Sequence, residues 1–223
     1  MPSTPGKPPP YVGPERRNTG MIVVIAVAAV AVLALIAAVV ISQVGGDDEA
    51  VPEGVEQTQP VVVEGEALPL YTGGANDPAI GTVPPMLEGR SFDGSSVVID
   101  PNDGTPKLVV FLAHWCPHCQ AEVPRVVEWQ QQGLIPAGID IYGVSTSATS
   151  SRDNYPPSSW LEREGWTFPT LADSEDNSAA NAWGLQYFPY FVTLDGDGKI
   201  VERASGELTQ EQFTALLAAI APQ

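Results

Sequence analysis

Apolar positions along this chain fall into three regimes. Met21–Ile41 is an unbroken apolar run, the stretches on either side of it carry no apolar period, and from about Asp77 short hydrophobic runs alternate with helical patterns. The third regime predicts an α/β domain. Asp93-Gly94 lies between two short extended stretches, with Val97-Val98-Ile99 after it, and reads as a hairpin. Lys107–Leu112 is apolar after its first residue and short enough to be a central strand buried on both faces. Beyond it, Val123, Val126 and Val127 recur at helical spacing until Gly133 stops the helix, and Pro124 is expected to kink that helix near its start.

A second strand is expected at Ile139–Val144, then a capping box in Ser159-Trp160-Leu161-Glu162 opening a short helix that Gly165 closes. A small helix follows around Ser178 to Trp183. Tyr190–Leu194 and Lys199–Ala204 read as two strands joined by Asp195-Gly196-Asp197-Gly198. That acidic tetrapeptide resembles the start of a calcium loop, but the remaining loop ligands are missing, so it is read as a turn. Thr209 and Gln212 cap a last helix whose Phe213, Leu216, Leu217 and Ile220 share one face.

The first regime changes the picture of where this domain resides. A helix over Met21–Ile41 would span roughly 31 Å of hydrocarbon at about 1.5 Å per residue, which fits a membrane anchor better than a signal-peptide core of about 7 to 15 apolar residues. Lys7, Arg16 and Arg17 precede the run, whereas Asp47, Asp48 and Glu49 follow it, so the N-terminus is expected in the cytoplasm and the rest outside. Of 10 basic and 27 acidic residues, only three basic and one acidic precede the run, so the acidity belongs to the exported part. Such a surface repels nucleic acid and anionic headgroups. Residues 1–20, rich in proline, are expected to be a disordered cytoplasmic tail, and 42–76 an acidic Gly/Pro-rich spacer with only Val61-Val62-Val63 able to form a strand. The domain proper is placed at 77–223.

The chain has two cysteines, Cys116 and Cys119, set where a buried strand turns into a helix. Unpaired N–H groups and the positive end of the macrodipole at a helix start stabilise an anion, so Cys116 is the expected nucleophile, with a pKa below the free value of about 8.5. Cys119, one turn on and more buried, is the expected resolving thiol, giving a Cys116–Cys119 redox disulfide. Pro117 suits the first helical position. His118 is expected to tune the pair by stabilising the thiolate, and His114 is read as ordinary surface with a direct role as the alternative. A structural disulfide this short would cross-link almost no chain. The two Cys and two His lie too close together for an ordinary tetrahedral metal site. No metal and no cofactor is expected.

Trp115-Cys116-Pro117-His118-Cys119 followed by Glu122 and Pro124, then Gly143-Val144-Ser145, Trp183-Gly184-Leu185, Phe188-Pro189 and Leu194-Asp195-x-x-Gly198-Lys199-Ile200, resembles the thioredoxin-like family in its membrane-anchored TlpA/ResA-like branch. The resemblance covers about Ile80 to Ala221. It implies a thioredoxin-like α/β fold, a central mixed sheet flanked by helices, behind a single transmembrane helix. It also implies a cis bond before Pro189 facing the cysteines, a client-binding surface at Trp115, Phe188 and Pro189, and proton transfer by Glu122. Val110 stands where thioredoxins carry a buried Asp. The implied partners are client proteins with thiols or disulfides and a membrane or extracytoplasmic redox partner. The Cys-Pro-His-Cys sequence is that of DsbA-type oxidants, whereas many members of the branch reduce proteins in cytochrome c maturation, so the direction stays open. Two other readings remain: a peroxiredoxin-like peroxidase, which usually needs Thr or Ser where Ala113 stands, and a non-catalytic binding module using the groove at Phe188 and Pro189.

Overall fold

The computed structural model describes residues 54–74 and 76–222. A five-stranded mixed sheet runs in the order β6-β5-β4-β7-β8. Its centre is β4 (Lys107–Leu112), parallel to β5 (Asp140–Ser145) and antiparallel to β7 (Tyr190–Leu194). β6 (Thr170–Ala172) and β8 (Ile200–Ser205) form the edges. A separate three-stranded sheet joins β1 (Val62–Glu64), β2 (Met86–Arg90) and β3 (Ser96–Ile99) in antiparallel order.

Every residue of β4 is buried, and the two-residue period of a strand sends alternate side chains to opposite layers. Leu108, Val110 and Leu112 face a cluster with Val123, Val126 and Val127 of α1 (Pro117–Gln131), Trp160 and Leu161 of α2 (Pro157–Arg163), and Phe213, Leu216 and Leu217 of α4 (Gln210–Ala218). Val109 and Phe111 face the other cluster, with Leu87, Val97 and Ile99 of the small sheet and the alanines of α3 (Ser178–Ala182) beside Trp183. Lys107 is buried too, its ammonium held by Asp103 and the Thr105 carbonyl (2.8 Å).

Local signals account for most boundaries. After α1, Gly133 at φ 73° lets its own N–H reach Gln130 O (2.9 Å) and that of Leu134 reach Trp129 O (3.0 Å), a Schellman ending. α1 runs through Pro124 as one helix. α4 begins on the expected box, with Gln212 N–H donating to Thr209 Oγ1 (3.2 Å) and Thr209 N–H to Gln212 Oε1 (2.8 Å). In the β7–β8 turn Asp195 Oδ1 accepts the N–H groups of Asp197 (3.0 Å) and Lys199 (2.9 Å), so this carboxylate serves its own backbone.

Three expectations need correction. The box at Ser159 and Glu162 does not form. α2 starts at Pro157, capped at Pro156, because proline's fixed φ and missing N–H suit the first helical position. β6 was not foreseen. It is three residues long, lies next to Pro169, and gains its extended form by pairing with β5. The expected spacer is partly folded: β1 pairs with β2, Leu68 is buried, and Leu68 and Tyr71 donate N–H bonds to Ala182 O and Gly184 O, both at 2.8 Å. Residues between about 54 and 74 thus pack onto the domain expected to start at 77. The run Met21–Ile41 lies outside the described residues, as do the tail and the first part of the spacer. Among the described residues no helix is long and apolar enough to cross a membrane.

Candidate active site

β4 ends at Leu112, and four residues later Cys116 forms the N-cap of α1 in extended conformation (φ −79°, ψ 120°), with Pro117 in the first turn. The turn is closed by Cys116 N–H donating to Ala113 O (3.0 Å). Both cysteines are free thiols, Cys116 at 7% exposure and Cys119 fully enclosed. Burial pushes the Cys119 thiol far up, and the Ala113 N–H at 3.5 Å only partly opposes this. The Cys116 thiol is held down to about 5: the hydrogen bond from Cys119 lowers it most, burial opposes, and the amides of Cys119 and His118 and the His118 charge add to the lowering. Those amides make no capping hydrogen bond to the Cys116 side chain, so they act as aligned dipoles across a short gap. One thiolate and one thiol sharing a proton is the arrangement that separates nucleophile from resolving group.

His118 is exposed, at 65% for its side chain, and its Nδ1 lies 2.8 Å from Glu207 Oε1. That carboxylate raises the His118 pKa first, and the Cys116 charge adds to it. Glu207 also takes Arg125 Nη2 at 2.7 Å, and Arg125 Nη1 reaches Glu122 Oε2 at 3.4 Å. Glu122 is completely buried, although it is a charged residue on a helix. Its carboxylate accepts the Leu208 N–H with both oxygens (3.3 and 3.2 Å), and burial nonetheless raises its pKa to about 7. It is near enough to bear on the Cys119 thiol.

His114 is fully buried, and the surface reading of it is corrected. Its Nε2 accepts the Thr149 N–H (3.2 Å), which leaves the proton on Nδ1 to bond Asp153 O (2.7 Å). Burial lowers its pKa, so it is a neutral post for the loop after β5. That loop covers Trp115: Ser147 O accepts the Trp115 Nε1–H (2.9 Å) and Arg152 lies 5.1 Å from the indole ring centroid. Trp115 meets Phe188 edge to face at 5.8 Å. The Phe188–Pro189 bond is cis, and Gly206 N–H donates to Pro189 O (2.9 Å). A cleft of about 850 Å³ is lined by Cys116, Trp115, His118, Phe188 and Glu207 together with Tyr71 and Tyr187. The pattern of the sequence singled out neither Glu207 nor Tyr71. One is a single acid among many, and the other lies in a segment without period.

The Redoxin family model matches residues 74–220. The chain belongs to the Redoxin family. The thiol:disulfide interchange protein HelX of Rhodobacter capsulatus is 30% identical over 148 residues, covering 66% of this chain and 76% of that protein. The thiol-disulfide oxidoreductase ResA of Geobacillus thermodenitrificans is 26% identical over 148 residues, covering 65% of this chain and 79% of that protein. In fold, the solved structure of dsbF from MTB superposes with TM-score 0.51 at 23% identity, over 60% of this chain and 94% of that one. With these relatives the chain is a thiol-disulfide oxidoreductase, and its mixed sheet and helices are the thioredoxin-like arrangement.

The titration of Cys116 is directly measurable. Thiolate absorbance near 240 nm in the reduced protein is expected to rise with a midpoint near pH 5, and a midpoint above pH 8 would overturn the account of the site. The sign for stability follows from linkage: a thiol whose folded pKa lies below its unfolded value stabilises the fold fully above the unfolded value and loses that contribution as pH falls towards about 5. The melting temperature of the reduced protein, minus that of Cys116→Ser, should therefore shrink between about pH 9 and pH 5.

Proposed function

We propose that this Redoxin-family protein is a membrane-anchored, extracytoplasmic oxidoreductase that exchanges disulfides with secreted or membrane proteins through Cys116 and Cys119. The observation that carries this reading is the split between the two thiols: Cys116 lowered to about 5 at the mouth of a cleft, Cys119 raised and enclosed behind it. The anchor rests on the apolar run Met21–Ile41 and the basic residues before it.

With the pair oxidised, a client thiolate attacks Cys116 Sγ, and the Cys116–Cys119 bond breaks with Cys119 Sγ taking the electron pair. A mixed disulfide between client and Cys116 results. Burial makes a Cys119 thiolate unfavourable, so it takes a proton, and Glu122 is the buried acid poised to supply it. A second client thiolate then attacks the client sulfur of the mixed disulfide, and Cys116 leaves as a thiolate. Two electrons pass from client to protein, and the client gains a disulfide. The reverse sequence reduces a client, with Cys119 losing its proton to Glu122 before it resolves the mixed disulfide.

A thiolate held near pKa 5 stabilises the reduced form, which favours the oxidising direction. Trp115 and Phe188 line the same cleft, and with Pro189, joined to Phe188 by the cis bond, they supply the surface against which a client segment lies.

Cys119→Ser tests the reading in cells. It should accumulate mixed disulfides through Cys116 that dissolve on adding a thiol reductant, and Cys116→Ser/Cys119→Ser should accumulate none. Absence of any adduct to the single variant would overturn disulfide exchange with protein clients.

A further inference from the structure

Part of the lining of the cleft is built by chain that precedes the five-stranded sheet: Tyr71, Thr72 and Gly73. This segment is fixed. Tyr71 N–H donates to Gly184 O (2.8 Å), its ring packs on Tyr190 (centroids 5.6 Å), and the Arg203 guanidinium carbon lies 5.3 Å from its centroid. The same cleft is lined by Tyr187, at 61% exposure the most open of the large hydrophobic side chains described. Its backbone is held, since Ser205 Oγ–H donates to Tyr187 O (3.0 Å), so the ring is presented to solvent by a rigid support. An exposed aromatic ring beside a reactive thiolate, on a fixed backbone, is the form of a recognition surface rather than of a core.

The charges of the cleft limit what it accepts. His118 and Glu207 face each other at 2.8 Å and compensate one another, so neither is left to attract an ionic client group. Arg203 already occupies one side of the Tyr71 ring, and its charge disfavours a second cation there. What remains open in the cleft is the Tyr187 ring together with the uncovered parts of the half-buried Tyr71 and Phe188.

We propose that Tyr71 and Tyr187 form a side-chain subsite that selects clients carrying a large uncharged residue, aromatic or branched aliphatic, close to the exchanging cysteine. This deepens the proposed exchange function and rests on it. The client segment docks with that side chain against the two tyrosines while its sulfur meets Cys116, which lines the same cleft. Selectivity thus comes from Tyr71 on the segment preceding the sheet and Tyr187 in the loop before β7, both separate from the cysteines that do the chemistry.

The test uses the reduced full-length chain in detergent micelles and three peptides, each with one cysteine linked to glutathione and differing only in one flanking residue: Phe, Gly or Lys. In each reaction the Cys116 thiolate attacks the mixed disulfide, Cys119 completes its reduction, and peptide and glutathione leave as thiols while the protein pair is oxidised. The wild type is expected to react about tenfold faster with the Phe peptide than with the Gly peptide, a difference of about 1.4 kcal/mol. The Lys peptide should do no better than Gly. Tyr71→Ala and Tyr187→Ala should each bring the Phe-to-Gly ratio to about two or below, whereas Val98→Ser, outside the cleft, should keep it. If Tyr71→Ala does not fold, Tyr187→Ala decides, because its ring packs into solvent. Equal rates for all three peptides, a preference for Lys, or an unchanged ratio in Tyr187→Ala would overturn the subsite. No reaction with any peptide would instead overturn the exchange reading itself.

Discussion

Cys116→Ser should abolish disulfide exchange, with a fall on the order of 10⁴-fold in the rate of reaction with any disulfide. The size follows from what the site does to this one atom. At neutral pH the Cys116 thiol, held near pKa 5, is almost entirely ionised, whereas a serine hydroxyl in the same place stays protonated and is a far weaker nucleophile. Cys119 cannot substitute, because burial raises its pKa and nothing within its enclosure lets a client sulfur approach. The remaining thiol is therefore silent. His118→Ala should be much milder, since it removes one contribution to thiolate stability while the Cys119 hydrogen bond and the helix amides persist. Stopped-flow measurement of glutathione exchange at pH 7 separates the two. A Cys116→Ser protein that still complements a deletion in cells would favour the binding-module reading, since in that reading the groove suffices.

The cysteine pair and its helix were legible because their signals are local: a buried apolar run, then Cys-Pro-x-Cys at the N-cap, then Gly133 as the stop. The partners of those residues were not. Glu207 reaches His118 across 89 positions of sequence, and Leu208 reaches Glu122 across 86. No periodicity reports such a contact, because it depends on where β8 delivers the chain before α4. His114 failed for a related reason. An imidazole two residues before Cys116 reads as surface, but the loop at 147–153 folds over it and takes both its ring nitrogens. The same holds for residues 54–74: a segment rich in glycine, proline and acids looks like linker, and only its pairing with β2 and its N–H bonds to Ala182 and Gly184 order it. Propensity is weak there and tertiary contact decides.

Arg203→Met should cost about 3–5 kcal/mol, the penalty for leaving the other half of a buried ion pair uncompensated. Arg203 is 4% exposed on β8, with Nε donating to Asp77 Oδ2 (2.6 Å) and Nη1 to Pro69 O (2.9 Å) and Tyr190 Oη (3.1 Å). These bonds tie Pro69 and Asp77 to the sheet at Arg203 and Tyr190. At roughly 2–4 °C per kcal/mol for a domain of this size, the melting temperature should fall by about 6–20 °C. The pH dependence identifies the cause. The Arg203 hydrogen bond holds the Asp77 carboxyl below its usual value, so the pair stabilises the fold above the unfolded carboxylate range and loses that contribution as pH falls through the lowered folded value. In Arg203→Met the lone buried carboxylate escapes its penalty by protonating. The gap between wild type and variant should thus be full at pH 7 and narrow below about pH 4. Asp77→Asn/Arg203→Met, which removes both charges, should recover much of the loss, as expected when the damage is an unpaired charge and not a lost contact. A fall of less than about 2 °C for Arg203→Met at pH 7 would show that water reaches the pair and that the chain around Pro69 is held by its backbone bonds alone.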